Sequence, residues 1–194
     1  MLLILLVSLA DVAEAGYFTL PHFLEQGQNS VGFEPEVVFT NSGGVGAAIK
    51  YQHGLTEFMN GMLTLGTGTG RRRFRLGADF SFDFVPDVEN QPGMGIITGA
   101  TYYKYDGFGQ LEASVGPYIH KIFHNGSGTN TIEPFLALPI GPSFSSGHYH
   151  WQTSVVLGSI FAQSDEKRLS FITELSVGVN HGETVLSGGI SFKP

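Results

Sequence analysis

The residues best placed to do chemistry are charged ones spaced two apart. Arg73, Arg75, Asp79 and Asp83 fall on odd positions of one segment, and a spacing of two puts side chains on one face of a β-strand. Two cations and two carboxylates on one face can pair across a confined space, where burial makes pairing obligatory, or can line a constricted path for small polar solutes. The same reading puts Glu34, Glu36, Lys50, Glu112, Glu133 and Glu174 on the equivalent face of other segments. His148 and His150 also share a strand face, a spacing that can chelate a metal, but two ligands make half a site and no third is evident. The run Gly66-Thr67-Gly68-Thr69-Gly70 ahead of Arg71, Arg72 and Arg73 has the composition of a phosphate loop. That chemistry needs a helix N-terminus after the glycines, and a strand pattern follows instead, so a flexible loop with a basic rim is expected. Ser145, Ser146 and His148 supply hydroxyl and imidazole, yet no nucleophile–base arrangement stands out from a serine-rich turn. We therefore expect no catalytic residue, no cofactor and no metal.

The elements that position these charges alternate apolar and polar residues, the strand period. Phe74, Leu76, Ala78, Phe80, Phe82 and Phe84 take the even positions opposite the charged odd ones. Val31, Phe33, Val37 and Phe39 alternate with Gly32, Glu34 and Glu36; Val45, Ala47, Ile49 and Tyr51 with Gly46, Ala48, Lys50 and Gln52. Leu111, Ala113, Val115 and Ile119 alternate with Gln110, Glu112, Ser114, Gly116 and His120. Leu169, Phe171, Leu175, Val177 and Val179 do so with Ser170, Glu174, Ser176, Gly178 and Asn180. Weaker versions cover 55–66, 94–105, 131–144, 148–161 and 184–192, giving about ten strands of the length a tilted membrane strand needs. Turn signals such as Asn41-Ser42-Gly43-Gly44, Asp106-Gly107 and His181-Gly182 separate them.

Composition narrows the class. Met1 to Ala10 is almost wholly apolar and Ala13-Glu14-Ala15 has the small-x-small form of a cleavage point. A signal peptide over 1–15 is predicted, with the mature chain starting at Gly16; ten apolar residues fall short of the ~20 of a membrane-spanning helix. With 10 Lys and Arg against 17 Asp and Glu, the mild acidity argues against nucleic acid, which wants a basic face. It has no cysteine, which excludes disulfides, thiolate chemistry and a lipoprotein anchor.

These readings converge on an all-β fold: a closed antiparallel up-and-down transmembrane β-barrel of about ten strands with short turns over 30–192, after an N-terminal periplasmic segment over 16–29. No helix covers a sheet face, and closure is the only way to pair a sheet's backbone in lipid. Arg73, Arg75, Asp79, Asp83, Glu34, Glu36, Lys50, Glu112 and Glu174 would line a bore of about 10 Å backbone radius, which inward side chains mostly fill. Lipid-facing aromatics would gather at two heights, as membrane interfaces select. Phe39, Phe74, Tyr102, Phe144, Tyr149 and Trp151 mark one rim and Phe33, Tyr51, Phe82, Phe84, Phe161, Phe171 and Phe192 the other, with Phe80 facing lipid near mid-strand. Prolines at 35, 117, 134, 139 and 142 predict bulges or early strand ends. An even count places both termini on the periplasmic side and leaves the longer connections there too, unless Tyr17 to Leu24 forms a further strand.

The alternation, the leader and a last strand from Thr184 to Phe192 with outward Leu186, Ile190 and Phe192 resemble the small outer-membrane barrels of Gram-negative bacteria. In that class the final strand often ends in an aromatic read by the assembly machinery; here Lys193 and Pro194 follow it. The resemblance implies a bacterial outer-membrane location, with the lipid bilayer and the assembly machinery as partners, and lipopolysaccharide phosphates for the basic rim. The expected role is a porin-like narrow transport pore for small polar solutes, or a structural or surface role with an ion-paired lumen. The alternatives are an outer-membrane lipid-modifying hydrolase and a soluble lipocalin-like periplasmic binding protein, whose apolar face would point inward.

Overall fold

Where apolar and polar residues alternate, the chain extends: β1 (Asn29–Val38), β2 (Gly44–Thr56), β3 (Met59–Gly68), β4 (Phe74–Val85), β5 (Gly93–Tyr105), β6 (Phe108–His120), β7 (Phe123–His124), β8 (Thr131–Ala137), β9 (Ile140–Ser145), β10 (His148–Gln163), β11 (Leu169–Asn180) and β12 (Val185–Phe192). The computed structural model describes residues 23–40, 43–105, 107–124, 130–145, 147–163 and 168–194. The expected leader and residues 16–22 of the N-terminal segment lie outside the described residues.

Consecutive strands pair antiparallel from β1 to β6 and from β9 to β12. β8 and β9 are one stave interrupted at Leu138 and Pro139, since both pair with β6 on one side and β10 on the other. β7 is a two-residue extension beside β8. The twelve segments thus make ten staves, and β1 pairs with β12 from Val31↔Phe192 to Val38↔Val185, closing the sheet. Closure leaves no open row of backbone donors and acceptors.

The prolines fall where pairing lapses. Proline has no N–H to give, so it keeps a ladder with at most one of its two neighbours. Pro35 pairs with Ala47 of β2, while the β1–β12 register steps over Glu34 and Pro35. Pro134 pairs with Ser159 and lies beyond the end of the β6–β8 register at His120↔Phe135. Pro142 pairs with Trp151, while the β6–β9 register skips from Glu112↔Ser143 to Val115↔Ile140. Pro117 pairs with Ile96 on one side. On the other it faces the break at Leu138–Pro139, where its carbonyl accepts from Leu138 N at 3.1 Å.

The two faces are sorted in the sense opposite to a water-soluble barrel. Phe33, Leu63, Leu76, Leu157 and Val179 stand outward with half or more of their surface exposed, whereas Glu34 and Glu174 are 1 % and 2 % exposed inside. Exposed apolar residues of this kind occur on every stave from Val31 to Phe192. Such a surface would aggregate in water and is at rest only in hydrocarbon. The fold is a transmembrane β-barrel of outer-membrane type. Aromatic pairs sit at both rims: Phe74–Tyr102 and Phe144–Tyr149 at one, Phe82–Phe84 at the other, each with ring centroids 6.4 Å apart.

The even stave count puts the N-terminal segment and the C-terminus at one rim, here the terminal end; the opposite rim is the far end. Connections at the terminal end include 86–92 and 121–130, longer than the two residues 106–107 at the far end. Phe23 and Leu24 are not in strand, and the rest of the stretch from 17 to 24 lies outside the described residues. A closed ten-stave barrel is expected to resist SDS, so unheated protein should migrate apart from boiled protein on a gel. Identical mobilities would argue for an open sheet.

Candidate functional site

The lumen is where the charges meet. At the far end β3 leaves into one 3₁₀ turn, Gly70–Arg72, entered from an extended Thr69. Gly70 takes φ +58°, a left-handed conformation that glycine adopts without the Cβ penalty. The turn carries Arg72 over the rim and into the bore, where it is 2 % exposed. Its Nη2 donates to Glu183 Oε2 at 2.6 Å and its Nε lies 3.2 Å from Glu36 Oε1. The guanidinium stands 5.1 Å over the Tyr103 ring. Arg75 Nη1 reaches the other oxygen of Glu36 at 3.1 Å, so one carboxylate holds two guanidiniums. The seat is built from backbone as well: a Cβ on Gly46 or on Gly68 would come to 3.0 Å from Arg72 Cβ.

Below this cluster Lys50 Nζ meets Glu34 Oε2 at 2.8 Å. Gln110 Nε2 donates to Glu112 Oε1 at 2.6 Å and to Ser143 Oγ at 2.9 Å. Lys50, Arg75, Asp79, Glu112 and Gln152 then surround a central cavity of about 50 Å³. That is room for about three to five water molecules. Towards the terminal end, His120 Nδ1 lies 2.7 Å from Glu133 Oε1 and its Nε2 lies 3.7 Å from Asp83 Oδ2. Beside it the inward face turns apolar, with Ile97, Tyr118, Phe135, Ala137, Val156, Ile160 and Ile172 packed together. The last layer comes from the N-terminal segment: Leu24 is 1 % exposed. The Asn60 amide donates to Leu24 O at 3.2 Å and accepts from Leu24 N at 3.1 Å. Gly27 N donates to Gly54 O at 2.8 Å, tying that segment to β2.

Of the charges expected inside, Glu34, Glu36, Lys50, Arg75, Glu112, Glu133 and Glu174 are buried, with Asp79 and Asp83 partly so. Arg73 departs from expectation. It is exposed at the end of the 3₁₀ turn, with φ −54° and ψ −40°, and its carbonyl accepts from Thr67 Oγ1 at 3.0 Å. Strand parity begins only at Phe74, and the helical turn before it rotates the inward position onto Arg72. Of the three arginines expected at the rim, Arg72 is turned into the bore, Arg73 stays exposed at the far end, and the Arg71 side chain lies outside the described residues. Thr67 and Gly68 belong to β3, so the glycine run is mostly strand and not a loop.

Phe39, Phe74, Phe80, Phe84, Tyr149, Trp151, Phe171 and Phe192 all stand exposed on the outer face. Phe82 is half-buried, stacked on Phe84 at an interplanar angle of 7°. His148 is exposed at the far rim, and the His150 ring lies 5.1 Å from that of His181. No group of three or more His, Cys, Asp or Glu suited to a metal ion occurs among the described residues. Ser145 pairs with His148 across the β9–β10 turn, and Ser146 lies outside the described residues. Sequence reasoning missed Arg72, Glu183, Tyr103 and the inward apolar cluster. The only cue to the first two was opposite charge on two glycine-containing turns.

No family model matches the chain, and no curated protein does. Among solved structures, a designed transmembrane β-barrel aligns with 11 % identity and TM-score 0.43 over 89 % of this chain and 100 % of that one. The COG4313 outer membrane channel from Pseudomonas putida F1 aligns with 9 % identity and TM-score 0.49 over 95 % and 100 %. The Acinetobacter baumannii outer membrane protein Omp33 gives 12 % identity and TM-score 0.41 over 87 % and 99 %. The barrel assignment rests on this chain's own register and burial.

Proposed function

We propose that this chain is a bacterial outer-membrane barrel whose bore is shut in the described conformation, a structural or surface protein and not a general porin. The observation that carries the reading is the filled lumen: the Arg72 cluster at the far end, a central cavity of about 50 Å³, and Leu24 at the terminal end. In this reading the terminal end faces the periplasm, the assembly machinery inserts the barrel, and exposed Arg73 meets lipopolysaccharide phosphates at the far rim. The purified protein in planar lipid bilayers is expected to show little or no conductance. A large, stable open channel in the unmodified protein would refute the closed bore and favour a general pore.

A further inference from the structure

The connection between β11 and β12 is folded back onto the far mouth. A Cβ on Gly178 would lie 1.8 Å from Gly182 O, and one on Gly182 would lie 2.6 Å from Ser154 Oγ of β10. Asn180 Nδ2 donates to Trp151 O at 3.2 Å, which ties the connection to β10. The β10–β11 register shifts beside it, between Thr153 and Ser154, and irregularities of this kind re-aim side chains. Held by these contacts, His181 takes φ +52°, a left-handed conformation that glycine adopts without the Cβ penalty; the glycine stands one residue later. The His181 ring is thereby set 5.1 Å from the His150 ring, with the planes tilted by 43°. His181 is exposed and His150 half-buried, so the pair opens to solvent at the mouth.

Alternation pairs His148 with His150 on one strand face; the fold instead brings His150 against a ring from another connection. With metal–nitrogen bonds of about 2.0–2.1 Å, two imidazoles on one tetrahedral ion place their ring centroids about 5 Å apart. The observed separation matches that spacing, and the tilt sets the pair apart from a face-to-face stack. A ligating imidazole uses one nitrogen and commonly gives the other to a neighbour, so the site asks for one nitrogen from each ring. We infer that His150 and His181 form a two-imidazole site for a late divalent transition-metal ion, of the copper or zinc class, at the far mouth. Imidazole suits these ions by ligand type, so a rim that also carries arginine is compatible with the site. Two protein ligands leave the other positions to water, which makes the ion exchangeable, unlike the closed four-ligand shell of a structural zinc. The inference goes beyond the reading of the bore as closed and does not depend on it.

The test titrates the full chain, purified without a histidine tag and folded in lipid vesicles, with cupric ion, and counts the imidazoles on the copper by pulsed EPR. The parent is expected to hold one ion through two imidazoles at its tightest site. His150→Gln and His181→Asn are each expected to weaken that binding about tenfold or more and to leave one imidazole on the ion. Asparagine tolerates the left-handed backbone at 181, and either variant alone decides the matter if the other fails to fold. His148→Gln is expected to change neither the affinity nor the count. Absence of a two-imidazole signal in the parent would overturn the site. A signal that survives both His150→Gln and His181→Asn would place the ion on other histidines and overturn it as well. So would a loss in His148→Gln with His181→Asn unchanged, which would move the ion to the strand pair. Each of these outcomes leaves the closed-bore reading standing, since that is measured separately by conductance.

Discussion

Phe80→Lys is expected to destabilise the barrel in lipid vesicles by about 2–4 kcal/mol, the range for a lysine facing lipid at mid-bilayer. Phe80 is 44 % exposed on the outer face and sits mid-strand, paired with Gly61 and Thr98. There its ammonium would have to thin the bilayer or snorkel to the headgroups. The neighbouring change, Ser81→Lys, is expected to cost much less. Ser81 is 2 % exposed on the inner face, with Asp79 and Asp83 two residues away on either side. Its main penalty would be crowding. Urea unfolding of both variants in vesicles makes the comparison, and equal costs would overturn the assignment of faces. A fluorophore at position 80 adds an independent readout: lipid-borne quenchers should reach it, and protection from them would mean that the apolar face is an interior.

Glu36→Gln is expected to be the most damaging single change in the lumen, at about 3–5 kcal/mol, the usual cost of removing one partner from a buried ion pair. Glu36 is 4 % exposed and holds Arg72 at 3.2 Å and Arg75 at 3.1 Å through its two oxygens. Its neutralisation leaves two guanidiniums where only Glu183 remains as the carboxylate on Arg72. Glu183→Gln should cost less, since Arg72 then still meets Glu36. Unfolding in vesicles orders the two variants; a loss at Glu36 no larger than that at Glu183 would show that the cluster is not centred on Glu36.

How much of this was legible in the sequence differs from stave to stave. On β4 every even residue is apolar and the charges are all odd, so the sheet's two solvents are written directly into the chain. On β8 and β10 they are not. Phe135 and Ala137 point inward while Ile132 and Leu136 point outward, and parity reports only a difference between faces. With apolar residues on both, and Pro134 and Pro139 interrupting, no period survives to reveal that part of the lumen is apolar. Arg72 and Glu183 were illegible for another reason: a turn has no parity, so the direction of its side chains is set by the local backbone. One 3₁₀ turn was enough to exchange the expected inward Arg73 for Arg72, while Arg75, two residues into strand geometry, stayed where alternation placed it.

The pairing of Val31 with Phe192 has a consequence for how the molecule comes into being. The first stave finishes its ladder only with the last one, so the contact that completes the fold spans almost the whole strand-forming chain. Contacts that distant are slow to find, because loop-closure entropy must be met before they repay it. Until then two raw edges remain, and the outer faces of all the staves, already apolar, have neither sheet nor hydrocarbon to rest against. Each earlier stave is in place only provisionally until the twelfth segment arrives beside the first.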